Sequence, residues 1–137
     1  MTKTPIYWNS AKKYLSKKDK IMKKLITKYN SPSETILTSR KDIFFSLCKS
    51  IIGQQISVMA ANSVFLKFKK RCKNKITAKT ISKLSVTQLR SCGLSRLKAI
   101  GIKSLAKQTL DKSFNPKLIP KMSDEKAIVY LSNLRQI

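Results

Sequence analysis

The chain has 137 residues, 42% of them hydrophobic, enough for one packed domain and not comfortably two. Its 30 Lys and Arg face 6 Asp and Glu, a formal net charge of +24, so polyanions (nucleic acid or an anionic membrane surface) lead the partner classes. With no His and 3 Gly, the chain excludes His-based triads, HExxH zinc sites, c-type haem ligation, GxGxxG fingerprints and P-loops.

The reading is helical nearly throughout, since apolar residues recur at three- and four-residue spacing and Pro stands only at 5, 32, 116 and 120. The N-terminus has no apolar h-region, and the most apolar stretch, residues 43–52, is too short and too interrupted to span a bilayer. A first basic helix is expected over residues 7–29 with Tyr14, Ile21, Leu25 and Trp8 inward. It ends at the turn cluster Asn30-Ser31-Pro32-Ser33. Nine lysines (3, 12, 13, 17, 18, 20, 23, 24 and 28) and one acid, Asp19, lie in residues 1–29.

Residues 42–66 differ in kind, with Asp42 and Lys49 as their only charges. Phe44, Leu47, Cys48, Ile51 and Ile52 mark one helical face, with Asp42 a candidate cap. After Gly53-Gln54-Gln55, Ser57 can cap a second helix whose inward face is Ala61, Val64, Phe65 and Phe68. Two nearly uncharged helices joined at this turn are expected to form the buried centre. Lys67, Lys69, Lys70, Arg71, Lys73, Lys75, Lys79 and Lys83 then arrive without an acid. Only five of the basic residues in the chain are Arg, as codon drift in an AT-rich genome also produces, but drift alone does not explain such segregation.

Short helices follow. Thr77 can cap a turn carrying Ile81 and Leu84. Ser85-Val86-Thr87-Gln88 reads as a capping box, with Leu89 inward and Gly93 as the C′ glycine. Leu94-Ser95 opens a helix through Ile100, Ile102, Leu105 and Ala106. Gly101 within it costs roughly 1 kcal/mol relative to Ala, which points to close packing. Ser123 with Asp124 and Glu125 starts a last helix carrying Ile128, Leu131 and Leu134. Cys48, Cys72 and Cys92 are odd in number, form no CxxC pair and sit in apolar surroundings, as expected of reduced core residues in a cytoplasmic protein.

Three segments carry a family resemblance. Gly53-Gln54-Gln55-Ile56-Ser57 is preceded by Phe45-Ser46-Leu47-Cys48-Lys49-Ser50-Ile51-Ile52 and followed by Val58-Met59-Ala60-Ala61. Leu89-Arg90-Ser91-Cys92-Gly93-Leu94-Ser95-Arg96-Leu97-Lys98-Ala99 follows, then Asp124-Glu125 through Leu131. Together, and with Tyr7, Ala11, Leu15 and Asp19 as an opening helix, they resemble the helix–hairpin–helix DNA glycosylases, specifically the DNA-3-methyladenine glycosylase II branch. The likeness covers essentially the whole chain.

The resemblance implies an all-α, compact multi-helix fold, residues 1–137 forming a single but incomplete glycosylase domain. It also implies base-excision repair of double-stranded DNA containing alkylated purines: the base is flipped out and its N-glycosidic bond hydrolysed, with no metal or other cofactor. Something must occupy the space that a flipped base vacates. The position matching the family's wedge is Gln55, with Gln54 beside it and Ser57 closing the turn. A Gln can fill the gap and hydrogen-bond the orphaned base. Lys67, Lys69, Lys70, Arg96 and Lys98 are candidate phosphate contacts, and Tyr7 and Trp8 candidate walls of a base pocket. The bland alternatives are that the glutamines merely satisfy backbone groups and that the aromatics are core.

The family's Gly-x-Gly-x-Trp-Thr-Ala hairpin and catalytic Asp are expected beyond residue 137. No catalytic residue is therefore assigned in this chain, which alone is expected to be inactive. A truncated coding sequence outranks a partner chain supplying the rest. The family is monomeric, whereas self-association is expected here through apolar surface around Leu131, Leu134 and Ile137. The expected location is the cytoplasm, at the nucleoid through DNA, with no membrane partner. An endonuclease III-like lyase is the runner-up within the superfamily. A non-catalytic, sequence-independent nucleic-acid-binding module is the alternative outside it.

Overall fold

A computed structural model describes residues 5–29 and 42–134. The expected turn at 30–33, the acid Glu34 and the terminal Ile137 lie outside the described residues. Helices make up the described chain: α1 (Trp8–Lys18), α2 (Lys20–Tyr29), α3 (Ile43–Gly53), α4 (Val58–Arg71), α5 (Ala78–Ser82), α6 (Val86–Arg90), α7 (Arg96–Leu110), a 3₁₀ helix (Pro116–Lys121) and α8 (Asp124–Ser132). The all-α expectation holds. The chain forms two compact units, Met1–Lys41 and Asp42–Ile137.

In the first unit, the single helix expected over 7–29 is two. Asp19 leaves the helix at φ −137°, ψ 120°, and its carboxylate accepts from the amides of Ile21 at 2.7 Å and Met22 at 2.9 Å. The one acid among the lysines thus caps α2, satisfying amides that a helix start leaves open. The break also changes the inward face. Trp8, Ala11, Leu15, Met22, Leu25 and Ile26 line a hollow of about 230 Å³, but Leu25, expected inward, stays exposed there, and Tyr14 and Ile21 are exposed as well.

In the second unit, α3 behaves as its uncharged face predicts. Asp42 caps it through the amide of Phe45 at 2.9 Å, and Phe44, Cys48, Ile51 and Ile52 are buried. Each of its fully buried large side chains contributes roughly 1.5–3 kcal/mol. The helix α7 packs against α3, α5 and α6 and buries Ala99, Gly101, Ile102, Leu105 and Ala106. The buried position of Gly101 agrees with the close packing inferred from its sequence.

The helix α4 turns its expected face, Ala61, Val64, Phe65 and Phe68, toward the core, but it is less buried than the centre of the domain it was expected to form with α3. Only Phe68 is buried; Val64 and Phe65 lie partly buried against the core, while Val58, Met59 and Leu66 are exposed. Phe65 meets Phe45 of α3 edge-on at 5.5 Å. Apolar composition alone does not cover a helix; a neighbour must, and among the described residues α4 packs chiefly on α3.

The caps read from the sequence are in place. Ser57, Thr77, Ser85, Ser95 and Ser123 each accept an amide of their own helix, and Ser85 with Gln88 completes the capping box. Gly93 stands one residue later than C′, because α6 ends at Arg90 with Ser91 as C-cap. Its φ is +98°, and a Cβ there would meet Val64 Cγ2 at 3.1 Å. The glycine therefore permits both a left-handed turn and close approach to α4.

Leu134 is buried and Leu131 partly so, which corrects their expected exposure; the apolar residues that α8 presents to solvent are Ile128 and Val129. The amide of Asn115 donates to Tyr130 Oη at 2.8 Å, and the Tyr130 ring stacks on Phe114, pinning the preceding loop to α8. All three cysteines are free and buried. Burial pushes the Cys72 thiol up to about 11, with Cys92 adding to the rise. The Cys48 thiol is also pushed up, by burial first and then by Cys72 and Asp42.

Candidate nucleic-acid interface

The turn between α3 and α4 is built from both sides. Gln54 sits at φ −58°, ψ 132° and Gln55 at φ +55°. These values fit the two central positions of a type II turn, the second of which normally takes Gly or Asn. A Gln held left-handed costs about 1 kcal/mol or more. Gln55 is exposed and Gln54 half-buried. Ser57 accepts the amide of Ala60 at 3.2 Å and so starts α4 immediately after the turn.

Other left-handed residues have a plainer cause. Lys73 and Asn74, at φ 50° and 62°, close α4 in a Schellman pattern: Lys73 N–H donates to Lys70 O and Asn74 N–H to Lys69 O, each at 2.9 Å. Gln55 follows an extended residue and belongs to no such closure.

The turn is held from below by Lys98. Its half-buried ammonium donates to Ile52 O at 2.9 Å and Gln54 O at 2.6 Å. These carbonyls belong to the end of α3, where a helix leaves acceptors open and its dipole favours a cation. Expected as a phosphate contact, Lys98 is placed by the structure as a brace of the glutamine turn. Lys103, five residues on, is bonded similarly to Ser82 O and Leu84 O after α5.

Gly53 ends α3, and a Cβ added there would meet nothing within 4 Å. Among the described residues no packing requires a glycine at that place. Beside it lies a hollow of about 260 Å³ lined by Lys49, Ile52, Gly53, Ile56, Val58, Ala61 and Asn62.

The remaining candidates divide. Gln54, Gln55, Ser57 and Lys98 gather at the N-terminal end of α4, with Arg96 exposed on the first turn of α7. Lys67, Lys69 and Lys70 are exposed toward the other end of α4. In the first unit, Tyr7 is exposed and Trp8 half-buried, the buried indole N–H of Trp8 having no partner.

The described acids have structural employment. Asp19 and Asp42 cap helices. Ser113 donates from its hydroxyl and amide to Asp111, holding that carboxyl below its ordinary range. Asp124 and Glu125 occupy the first turn of α8, where the Glu125 amide and the Ser123 hydroxyl hold Glu125 low.

Sequence reasoning missed the brace by Lys98 and the open space at Gly53. The lysine lay within a recognised motif, but its partners stand more than forty residues away, as the contacts show. Among the described residues no group of three or more His, Cys, Asp or Glu is placed to hold a metal, and no helix is long and apolar enough to cross a membrane.

Residues 48–133 match the family model of the HhH-GPD superfamily base excision DNA repair proteins. The chain is similar to the alkylbase DNA glycosidase-like protein mag2 of Schizosaccharomyces pombe, at 29% identity over 95% of this chain and 62% of that protein. Its fold matches the 3-methyladenine DNA glycosylase Mag1 of the same yeast, solved in complex with abasic DNA. There the TM-score is 0.81 and the identity 25%, over 93% of this chain and 64% of the other. A DNA-3-methyladenine glycosidase from Bacillus halodurans shares the fold, with a TM-score of 0.70 at 18% identity over 99% of this chain and 59% of the other. The chain thus spans about three fifths of the length of these relatives.

Proposed function

The chain belongs to the HhH-GPD superfamily of base excision DNA repair proteins, and on that premise we propose that it engages damaged duplex DNA through its glutamine turn, within the DNA-3-methyladenine glycosylase lineage. The observation that carries this reading is Gln55: a large polar side chain kept exposed at a left-handed position where glycine suits the backbone better. Local strain retained at an exposed tip points to a role for the side chain. Gln55 enters the minor groove and fills the space of an extruded alkylated purine, its amide hydrogen-bonding the orphaned base. Lys98 and the core beneath α3 keep the turn stiff as it enters.

Gly53 then has a purpose: with no side chain, the end of α3 lets the DNA backbone come close. Lys67, Lys69, Lys70 and Arg96 contribute phosphate attraction without reading sequence. Tyr7 and Trp8 are proposed as walls of the base pocket, and both units as parts of one monomeric, DNA-associated glycosylase domain. No acid of this chain is assigned to catalysis, in keeping with the structural roles of those described. A second reading follows from the same acids: a non-catalytic module that binds DNA without attacking it.

The test compares binding to abasic and intact duplexes for the wild type and Gln55→Ala. Loss of a gap-filling hydrogen-bonding side chain is expected to reduce the preference for abasic DNA about tenfold, leaving intact-duplex affinity nearly unchanged. An unchanged preference would remove Gln55 from the role. Release of 3-methyladenine from methylated duplex separates the enzyme from the module.

A further inference from the structure

At the opposite end of α4 from the glutamine turn lies a cleft of about 530 Å³ lined by Arg71, Lys73, Lys75, Lys79 and Lys83, with Cys72, Thr77, Thr80 and Leu84 completing its walls. We propose that this cleft is a second binding site for the phosphodiester backbone of duplex DNA, separate from the turn. The proposal rests on the reading of the turn as the lesion-binding element, because it supplies a hold on a different stretch of DNA.

The first support is charge. Five cations line one hollow, no carboxylate lines it, and the sequence holds no Asp or Glu from residue 43 to residue 110. Like charges in one cleft repel, and a row of phosphates turns that repulsion into attraction while releasing counterions.

The second support is backbone geometry. The Schellman closure of α4 reverses the chain at Lys73, which adopts a left-handed conformation at a position usually given to Gly. The reversal brings Lys73 and Lys75 to the same hollow as Lys79 and Lys83 of the α5 segment. Arg71 is oriented by its own contact, Nη2 donating to Ser91 Oγ at 3.1 Å.

The third support is distance. The 14 residues of α4 hold the cleft about 21 Å from the turn at 1.5 Å per residue, too far for one phosphate to touch both. A protein with two such sites can seize a second duplex before letting go of the first, and so pass between DNA segments without becoming free.

The experiment measures the dissociation rate of the chain from a labelled abasic duplex as unlabelled intact duplex is added. For the wild type the rate is expected to rise about threefold or more over a hundredfold range of competitor, because an incoming duplex seated in the cleft assists release. The triple variant Lys73→Gln, Lys79→Gln, Lys83→Gln is expected to lose this dependence. Lys117→Gln, Lys121→Gln, Lys126→Gln, with an equal loss of charge, is expected to keep it. A rate independent of competitor in the wild type, the same rise in the cleft variant, or the same loss in the control variant would overturn the proposal. So would acceleration by single-stranded competitor alone. The ratio of abasic to intact affinity, read in parallel, reports on the turn, so failure there is separable from failure of the cleft.

Discussion

The two helices that flank the glutamine turn both carry apolar residues beside it but differ in charge and in fate: α3 holds one lysine, Lys49, whereas α4 runs into Lys67, Lys69, Lys70 and Arg71. The helix α3 buries Phe44, Cys48, Ile51 and Ile52 and has a lysine bound to its last carbonyls. The helix α4 buries only Phe68 and presents Val58, Met59 and Leu66 to solvent. One anchors the turn and the other leads away from it. A projecting side chain transmits force only if its base does not yield, so the stiffness of the site belongs to the α3 side.

The sharpest way to break this contrast is to weaken α3. Ile51→Ala removes a side chain with no exposed surface and is expected to lower stability by about 2–5 kcal/mol, read by chemical denaturation. Next comes Lys98→Met, which leaves two acceptors at the end of α3 without their cation. It is expected to cost about 1–3 kcal/mol and to erode the abasic preference while α4 remains helical by circular dichroism. Partial recovery of that preference in Lys98→Arg would identify the cation as the brace, and full retention in Lys98→Met would show that the turn holds itself.

Gly53→Ala is expected to separate fold from function. Among the described residues a Cβ there meets no atom within 4 Å, so thermal stability should be unchanged or rise by up to about 1 kcal/mol, while duplex binding is expected to weaken if the DNA backbone approaches there as proposed. The smallest effect is expected on the α4 side, where Met59→Ser changes a residue 84% exposed and should shift stability by less than about 0.5 kcal/mol.

The same contrast shows what the sequence made legible. The burial of α3 followed from spacing, and the caps at Asp42, Ser57, Thr77, Ser85, Ser95 and Ser123 followed from residue type, because both depend on neighbours within a few positions. The break at Asp19 carried a signal, one acid amid lysines, that was read as a flanked charge and not as a cap. The inward face of α4 was legible too, but not how little of the helix would be covered, since a sequence does not record which faces lack a partner. Lys98 was placed in its motif as a phosphate contact; charge announces attraction to phosphate, whereas only the fold reveals the two carbonyls that its ammonium also bridges. The glutamines were recognised by resemblance; the left-handed backbone at Gln55, which argues for a role of its side chain, came only with the structure.

The buried cysteines have a chemical consequence beyond packing. Thiolates are the soft nucleophiles that electrophiles consume first, and a protonated, enclosed sulfur reacts poorly. With Cys48 and Cys72 shifted toward the thiol form and Cys92 only 3% exposed, methylating agents find little to attack inside this fold. Enclosure thus spares the interior of the fold from soft electrophiles.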